Sequence, residues 1–222
     1  MGIIELKGIN KQYHVGYHYN EALKNVNLDI EEGEFVVILG PSGCGKTTLL
    51  NLIGGIDFPT SGEVIVDGEK IDYQNEKYLT EYRKDKIGFI FQFFNLIDDL
   101  TVYQNINIIS YNKERSLKLL EYVGLLDKQN DYPRNLSGGQ MQKVSIARAL
   151  NKESKILLCD EPTGALDEEN TKLIIELIKN IHQEEHMTII LVTHNELLSS
   201  YASLVLKMRD GRIIEKIRPN AE

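Results

Sequence analysis

The chain has few of the features that would place it outside the cell or across a membrane. Its two cysteines, Cys44 and Cys159, are too few and too far apart for a disulfide framework or a zinc site. No apolar run approaches the roughly 20 residues of a membrane-spanning helix. The N-terminal stretch MGIIELKGIN lacks the apolar core of a signal peptide. We therefore expect a cytoplasmic chain that reaches a membrane only by docking.

Basic residues are also in the minority. The 222 residues include 25 Lys and Arg against 33 Asp and Glu, which gives a net charge of -8. Non-specific binding of nucleic acid requires a basic field, so we expect no nucleic-acid partner. The apolar fraction of 42% is typical of a globular protein with a substantial core.

Short β-type patterns recur along the chain. Three continuous apolar runs predict buried parallel strands, at residues 35–40, 155–160 and 188–193. Residues 26–30 alternate between apolar and polar, which predicts a strand with one buried face. Asp-Gly pairs between apolar runs predict hairpins at 63–70 and 206–214.

Helical patterns lie between these strands. We predict helices at residues 46–53, 113–123, 139–150 and 168–181. The alternation of strands and helices predicts a three-layer α/β domain. Because residues 95–150 contain only helical patterns, we interpret them as a helical lobe inserted into the α/β body.

The stretch GPSGCGKTT follows a predicted buried strand and opens a helix. It fits the phosphate-loop pattern G-x-x-x-x-G-K-[ST] in the context that the pattern requires. Its glycines let the backbone turn its N–H groups towards phosphate oxygens. Lys46 supplies charge for the β and γ phosphates, and Thr47 offers a hydroxyl to Mg²⁺. We predict that the whole loop binds the nucleotide: Gly40, Pro41, Ser42, Gly43, Cys44, Gly45, Lys46, Thr47 and Thr48.

A second predicted strand ends in Asp160 and Glu161. Ligands bind at the carboxyl edge of parallel sheets, so Asp160 is predicted to hold Mg²⁺. Glu161 is placed to orient and deprotonate an attacking water. The alternative is that Glu161 only opens a turn before Pro162. These motifs alone permit a kinase, a GTPase or a recombinase-like ATPase, although residues 151–154 have Ser where a guanine-reading motif needs Asp.

The stretch NLSGGQ, residues 135–140, has the features of an incomplete anion site. A hydroxyl and two glycines stand at a predicted helix N-terminus, without a neighbouring lysine or metal ligand. The sequence LSGGQMQKVSIARAL, followed by ILLCDEPTGALD, resembles the ATP-binding subunit of ABC transporters. The resemblance covers essentially the whole chain and is strongest for the group that serves macrolide efflux, lipoprotein release and bacitracin resistance.

The resemblance implies a P-loop NTPase fold. The expected core is α/β and RecA-like, with an antiparallel β subdomain, and it comprises residues 1–94 and 151–222. The inserted α-helical subdomain, with the signature motif, is expected at residues 95–150. Together they are expected to form a single ATP-binding domain, residues 1–222.

The resemblance also implies roles for residues outside the phosphate loop. Tyr13 is expected to stack on adenine. Gln92 is expected to reach Mg²⁺ and the γ phosphate. His194 matches the switch histidine, and both residues are expected to be catalytic. Ser137, Gly138 and Gly139 are expected to meet the γ phosphate of ATP held by Lys46 of a second copy. Gln140 of the same signature and Asp167, which matches the D-loop aspartate, are also expected to bind the nucleotide. We therefore expect a homodimer that closes around two ATP and Mg²⁺.

A separate membrane permease is the implied partner, and export or extraction of a drug, antimicrobial peptide or lipoprotein is the implied task. Phe93, Phe94 and Leu96 are candidates for docking that permease, with ordinary core packing an equal alternative. A soluble ABC ATPase that acts on DNA or ribosomes is the rival function, but 222 residues leave no room for its usual coiled coil or tandem cassette. Glu161 and His194 argue against a module that binds ATP without cleaving it.

Other residues suggest chemistry that we do not favour. HQEEH, at residues 182–186, matches a zinc-protease pattern, but we interpret it as a solvated helix end. His14 and His18 are expected in a loop near the adenine. Cys44 lies at a helix N-terminus and is expected to be alkylated readily, whereas Cys159 is expected to fill space in a strand.

Overall fold

The computed structural model of the chain describes residues 2–16 and 18–219. Its strands are β1 (Ile4–Val15), β2 (His18–Ile30), β3 (Phe35–Leu39), β4 (Ser61–Val66), β5 (Glu69–Lys70), β6 (Ile87–Ile90), β7 (Ile156–Asp160), β8 (Thr188–Thr193), β9 (Leu204–Arg209) and β10 (Arg212–Ile217). Its α-helices are α1 (Lys46–Ile53), α2 (Glu76–Asp85), α3 (Val102–Asn107), α4 (Lys113–Tyr122), α5 (Gly138–Leu150) and α6 (Glu168–Glu185). Among residues 2–16 and 18–219, none of the helices combines the length and the apolar composition of a membrane span.

The larger sheet has six strands in the order β10-β9-β3-β8-β7-β6. All neighbouring strands are parallel except β10, which pairs with β9 in an antiparallel hairpin. The three predicted buried strands are confirmed as β3, β7 and β8. Every residue of β3 and β8 is buried, as continuous apolar runs require for strands covered on both faces.

The smaller sheet is antiparallel, in the order β2-β1-β4-β5. It contains the predicted strand at 26–30, whose Val26, Leu28 and Ile30 are buried between exposed neighbours. Strand β1 pairs with both β2 and β4 and has register shifts on either side. The expectation that His14 and His18 lie in a loop is wrong, because they stand on the paired strands β1 and β2.

Helices cover both faces of the larger sheet, as a three-layer domain requires. Alternate residues of β3 enter two hydrophobic cores, because successive side chains of a strand point to opposite faces. Val36 and Ile38 join the core that contains α1 and the smaller sheet. Phe35, Val37 and Leu39 join the core built by α3, α4, α5 and α6.

The predicted helices are present, with α6 continuing to Glu185. Both Asp-Gly hairpins are present as well. Helix α2 was not predicted, since only Leu79 and Tyr82 of its ten residues are buried. The helices of residues 95–150 share their core with the larger sheet, and the division of the chain into a body and a lobe stays a prediction.

Candidate functional site

The phosphate loop connects β3 to α1 at the carboxyl edge of the larger sheet. Gly45, immediately before the helix, has φ +105°. A Cβ there would stand 2.3 Å from the carbonyl oxygen of Ala22. Only glycine meets both conditions, so the last glycine of the motif is required by the fold of the loop itself.

Lys46 extends into the concave side of this loop. Its side-chain nitrogen donates hydrogen bonds to the carbonyl oxygens of Gly40 at 2.7 Å and Pro41 at 3.1 Å. The residue is 7% exposed, and no carboxylate of the described chain lies within 4 Å of its nitrogen. A buried cation held only by carbonyl oxygens at a helix N-terminus favours an anionic ligand.

Thr47 and Asp160 connect the loop to the end of β7. The hydroxyl of Thr47 donates to Oδ1 of Asp160 over 2.9 Å. Burial raises the pKa of Asp160, and the adjacent Glu161 carboxylate raises it further, while the Thr47 hydrogen bond acts in the opposite direction. A bound cation would stabilise the ionised carboxylate of Asp160. A hydroxyl and a carboxylate are ligands that Mg²⁺ accepts when phosphate oxygens and waters complete its coordination shell. No cluster of three His, Cys, Asp or Glu residues forms a metal site in the described ranges.

Glu161 and His194 meet at the ends of neighbouring strands. His194 Nδ1 lies 3.0 Å from Glu161 Oε2. The Glu161 side chain is 16% exposed and that of His194 is 73% exposed. Glu161 has φ +46°, a conformation that costs a non-glycine residue about 1–3 kcal/mol and is frequent at functional sites. Its carbonyl also accepts the N–H of Gly164, so a turn is present as well.

Gln92 follows β6 and lies against that turn. Its Nε2 atom is 3.1 Å from the position that a Cβ on Gly164 would occupy. Gln92 is half-buried. The structure therefore brings Gln92 to the turn that begins at Glu161.

Tyr13 lies on β1 and is held by residues that the sequence did not indicate. Its hydroxyl donates to Oδ2 of Asp57 over 2.7 Å, and Lys11 pairs with Oδ1 of Asp57 at 2.6 Å. Burial alone would raise the pKa of Asp57, but the hydrogen bonds from Lys11 and Tyr13 bring it below its usual value. The Tyr13 hydroxyl also contacts Thr48 of the phosphate loop. The ring is thus fixed beside the loop.

Ser137 and Gln140 form a capping box at the start of α5. The Gln140 N–H donates to Ser137 Oγ at 3.3 Å, and Ser137 N–H donates to Gln140 Oε1 at 2.9 Å. Both side chains therefore stabilise their own helix. No hydrogen bond or ion pair in the described part of the chain joins residues 137–140 to residues 40–48.

The two signature glycines differ in their surroundings. A Cβ on Gly139 would stand 2.1 Å from Oδ1 of Asn170, whereas the nearest atom to a Cβ on Gly138 is Leu166 Cδ2 at 3.5 Å. Asn170 is in turn fixed by Asp167, which caps α6 and accepts both its backbone N–H and its side-chain N–H at 2.8 Å. A side chain at Gly139 would therefore have to displace the Asn170 side chain, whereas one at Gly138 would meet only ordinary contacts.

Both cysteines are buried, and His182 contacts a backbone carbonyl. Cys44 is 5% exposed and belongs to a hydrophobic core, which does not favour rapid alkylation, and its alkylation stays a prediction. Cys159 is fully buried, burial raises the pKa of its thiol, and its predicted space-filling role is confirmed. His182, near the end of α6, lies with Nε2 2.8 Å from the carbonyl oxygen of Gly33.

An apolar groove, which we call the β6 groove, lies beside the Gln92 segment. It encloses about 440 Å³ between α2, β6 and residues 108–109. Its apolar residues are Ile56, Ile87, Phe89, Phe91, Ile108 and Ile109. Of the predicted docking residues, Phe93 is 70% exposed, whereas Phe94 and Leu96 are partly buried and Leu96 packs against a core.

Comparisons with known proteins agree on one family. Residues 23–164 match the family model described as ABC transporter. An uncharacterized ABC transporter ATP-binding protein of Methanocaldococcus jannaschii is 47% identical over 97% of this chain and 99% of its own length. The macrolide export ATP-binding/permease protein MacB of Aggregatibacter actinomycetemcomitans is 43% identical over 96% of this chain and 34% of its own length.

Solved structures similar to this chain belong to the same family. A dimeric ATP-binding cassette in a post-hydrolysis state, bound to ADP and Pi, superposes with a TM-score of 0.91 and is 40% identical. The match covers 99% of this chain and 100% of that one. The P-loop NTPase fold predicted from the sequence is thereby confirmed.

Proposed function

The chain belongs to the family of ABC transporter ATP-binding proteins and is an ATPase, and we propose that it cleaves ATP in sites shared by two copies to drive a separate membrane permease. The observation that carries this proposal is the convergence of Lys46, the Thr47–Asp160 pair and the Glu161–His194 pair at one sheet edge. Such an edge is where ligands bind in open α/β sheets.

Each residue at this edge has a separate role in the proposed hydrolysis. Lys46 would exchange its bonds to loop carbonyls for the β and γ phosphates. Thr47 and Asp160, with Gln92, would hold Mg²⁺, which when bound neutralises phosphate charge. Glu161 would accept a proton from the attacking water, and His194, donating from Nδ1, would keep the carboxylate turned towards that water.

The second half of each site is proposed to come from the partner copy. Ser137 is exposed and Gly138 is partly exposed, and a helix N-terminus favours an anion, so the N-terminus of α5 is available to a phosphate of the partner's nucleotide. Ser137, Gly138, Gly139 and Gln140, followed by Asp167, would close on the ATP held by the partner's phosphate loop. The relative bound to ADP and Pi is a dimer, which supports this arrangement.

We place the permease contact in the β6 groove. Arg83, Lys84 and Lys152 line the groove, and no carboxylate of the described chain lies within 4 Å of their charged nitrogens. In a chain of net charge -8, this local excess of positive charge is complementary to an amphipathic segment that carries Asp or Glu. Through that contact the subunit would sit peripherally at the inner face of the membrane. The macrolide-export relatives support export as the direction of transport.

The groove can be tested with a designed peptide. The chain contains no tryptophan, so a Trp-labelled amphipathic helix with Glu on its polar face reports binding by its own fluorescence. We expect binding that weakens at least tenfold with Lys84→Glu and little with Lys118→Glu on α4. Equal binding of a Lys-substituted peptide would exclude charge complementarity.

Hydrolysis is tested with two substitutions. Lys46→Ala should abolish both ATP binding and turnover. Glu161→Gln should retain binding while turnover falls about 10²–10⁴-fold, the range for loss of a general base. Measuring phosphate release together with nucleotide affinity distinguishes a loss of ATP binding from a loss of catalysis. Unchanged turnover in Glu161→Gln would remove Glu161 from the proposed mechanism.

A further inference from the structure

Arg148, in the last turn of α5, reaches the segment that follows Gln92. Its Nη1 donates to the carbonyl oxygen of Asn95 over 2.6 Å, and its Nη2 donates to that of Phe94 over 3.0 Å. The residue is 8% exposed, and no carboxylate of the described residues lies within 4 Å of its guanidinium. A buried guanidinium thus has two consecutive backbone carbonyls as its hydrogen-bond acceptors.

The backbone that Arg148 holds has an unusual conformation. Asn95 has φ +50°, in the left-handed region that most residues avoid. The fork of the guanidinium matches the two carbonyls that this turn directs to the same side. The bonds from Arg148 therefore select one shape for the segment from Phe94 to Asn95.

Gln92 stands at the other end of the same short segment. Its amide rests against the turn that starts at Glu161. The segment is therefore attached at one end to α5, whose first turn carries Ser137 and Gly138, and at the other to the catalytic carboxylate turn.

Two further polar residues of α5 are buried near Arg148 in the sequence. Gln142 and Ser145 precede Arg148 by six and three residues and are completely buried. Within the described residues, neither the amide of Gln142 nor the hydroxyl of Ser145 has a hydrogen-bond partner. The middle of α5 therefore contains buried polar groups that the described residues leave without hydrogen bonds.

We propose that Arg148 is a positioning residue that couples the placement of the signature helix α5 to the placement of Gln92 over the Glu161 turn. This inference rests on the proposed function. When α5 shifts against a partner's nucleotide, Arg148 carries the shift to Phe94 and Asn95 and thus to Gln92.

The test changes the loop rather than the buried arginine. Asn95 is exposed, so Asn95→Gly and Asn95→Val should both fold. Glycine accepts φ +50°, whereas the β-branched valine resists it. We expect Asn95→Gly to keep kcat within twofold. Asn95→Val and Arg148→Lys should lower kcat at least fivefold, with the KM for ATP within twofold.

A double-mutant cycle then asks whether the effect passes through Gln92. In a Gln92→Ala background, Asn95→Val and Arg148→Lys should lower kcat by less than twofold more. Wild-type kcat in Asn95→Val, or the same fold loss in both backgrounds, would overturn the proposal. Neither result would affect the Glu161→Gln test of hydrolysis.

Hydrogen exchange gives a measurement that needs no turnover. In Arg148→Lys, the backbone amides of residues 93–97 should exchange at least tenfold faster, while those in the middle of α5 keep their wild-type rates. Unchanged exchange at residues 93–97 would show that Arg148 does not fix this segment.

Discussion

His194 and Glu161 are in hydrogen-bond contact across the ends of two neighbouring strands, with Nδ1 3.0 Å from Oε2. The histidine is on the solvent side of the pair, and the carboxylate is largely buried beneath it. An exposed residue in such a position can orient the carboxylate and can also be displaced when a ligand or a partner subunit arrives.

Removal of this contact should slow hydrolysis without preventing ATP binding. We expect His194→Ala to lower kcat roughly 10- to 10³-fold, because Glu161 loses the donor that orients it. His194→Gln, which can still donate a hydrogen bond, should recover part of the rate. Steady-state kinetics with a separate ATP titration check this. A wild-type kcat in His194→Ala would show that the contact has no catalytic role.

The two signature glycines should differ in how they tolerate alanine. A methyl group on Gly139 collides with Asn170, so Gly139→Ala should destabilise the isolated chain by about 1–3 kcal/mol. Gly138→Ala should stay within about 1 kcal/mol of wild type, because the new methyl group meets only ordinary contacts. Urea unfolding without nucleotide measures both. Equal stabilities would mean that the packing of Gly139 on Asn170 is not tight.

The features that could be predicted from the sequence are those formed by residues consecutive in the chain. Gly45 is required within its own loop, and the buried strands consist of unbroken apolar residues that need no partner to be recognised. Strand β1 was missed because its register shifts interrupt the alternation of apolar residues. Helix α2 has few sequence features that indicate a helix: Asn75 as its cap, and two buried residues, Leu79 and Tyr82, three residues apart.

Tyr13 should contribute affinity that depends on the adenine ring. Stacking of a base on an aromatic side chain is worth about 1–3 kcal/mol, so Tyr13→Ala should weaken ATP binding about tenfold. Binding of tripolyphosphate, which has no base, should change less than twofold. Tyr13→Phe retains the ring but loses the bond to Asp57, and should lie between wild type and Tyr13→Ala. Equal losses for both ligands would contradict stacking.

Lys152 should make stability depend on pH in the alkaline range. Burial lowers the pKa of Lys152 to about 8, while its nitrogen donates to backbone carbonyls of Arg83 and Ile87. Between pH 8 and the usual pKa of 10.5, the unfolded chain binds more protons at this residue than the folded chain does. Its contribution to the free energy of unfolding therefore rises with pH across this range.

Lys152→Met provides the comparison for that prediction. Urea unfolding of both proteins from pH 7.5 to 10.5 gives a difference in which the other titrating groups cancel. The rise attributed to Lys152 should be absent in the variant. Identical pH profiles would show that the lysine retains its usual pKa in the folded chain.

The parts of the site that the sequence could not indicate depend on tertiary contacts. Asp57 and Lys11 meet Tyr13 only because β1 runs beside the residues that follow α1. Arg148 is an ordinary polar residue in a helical pattern until Phe94 and Asn95 fold against it. Neither contact can be predicted from the spacing of residues along the chain.

The central claim is that each ATP lies between two copies of the chain, and sedimentation of the Glu161→Gln protein tests it most directly. Monomers should become dimers on addition of ATP. When Gly138→Asp is added, each monomer should still bind ATP with an affinity within about threefold, because Gly138 lies outside its own phosphate site, but the dimer should not form. The account is contradicted if Gly138→Asp leaves the ATP-dependent dimer intact, or if it abolishes ATP binding by the folded monomer.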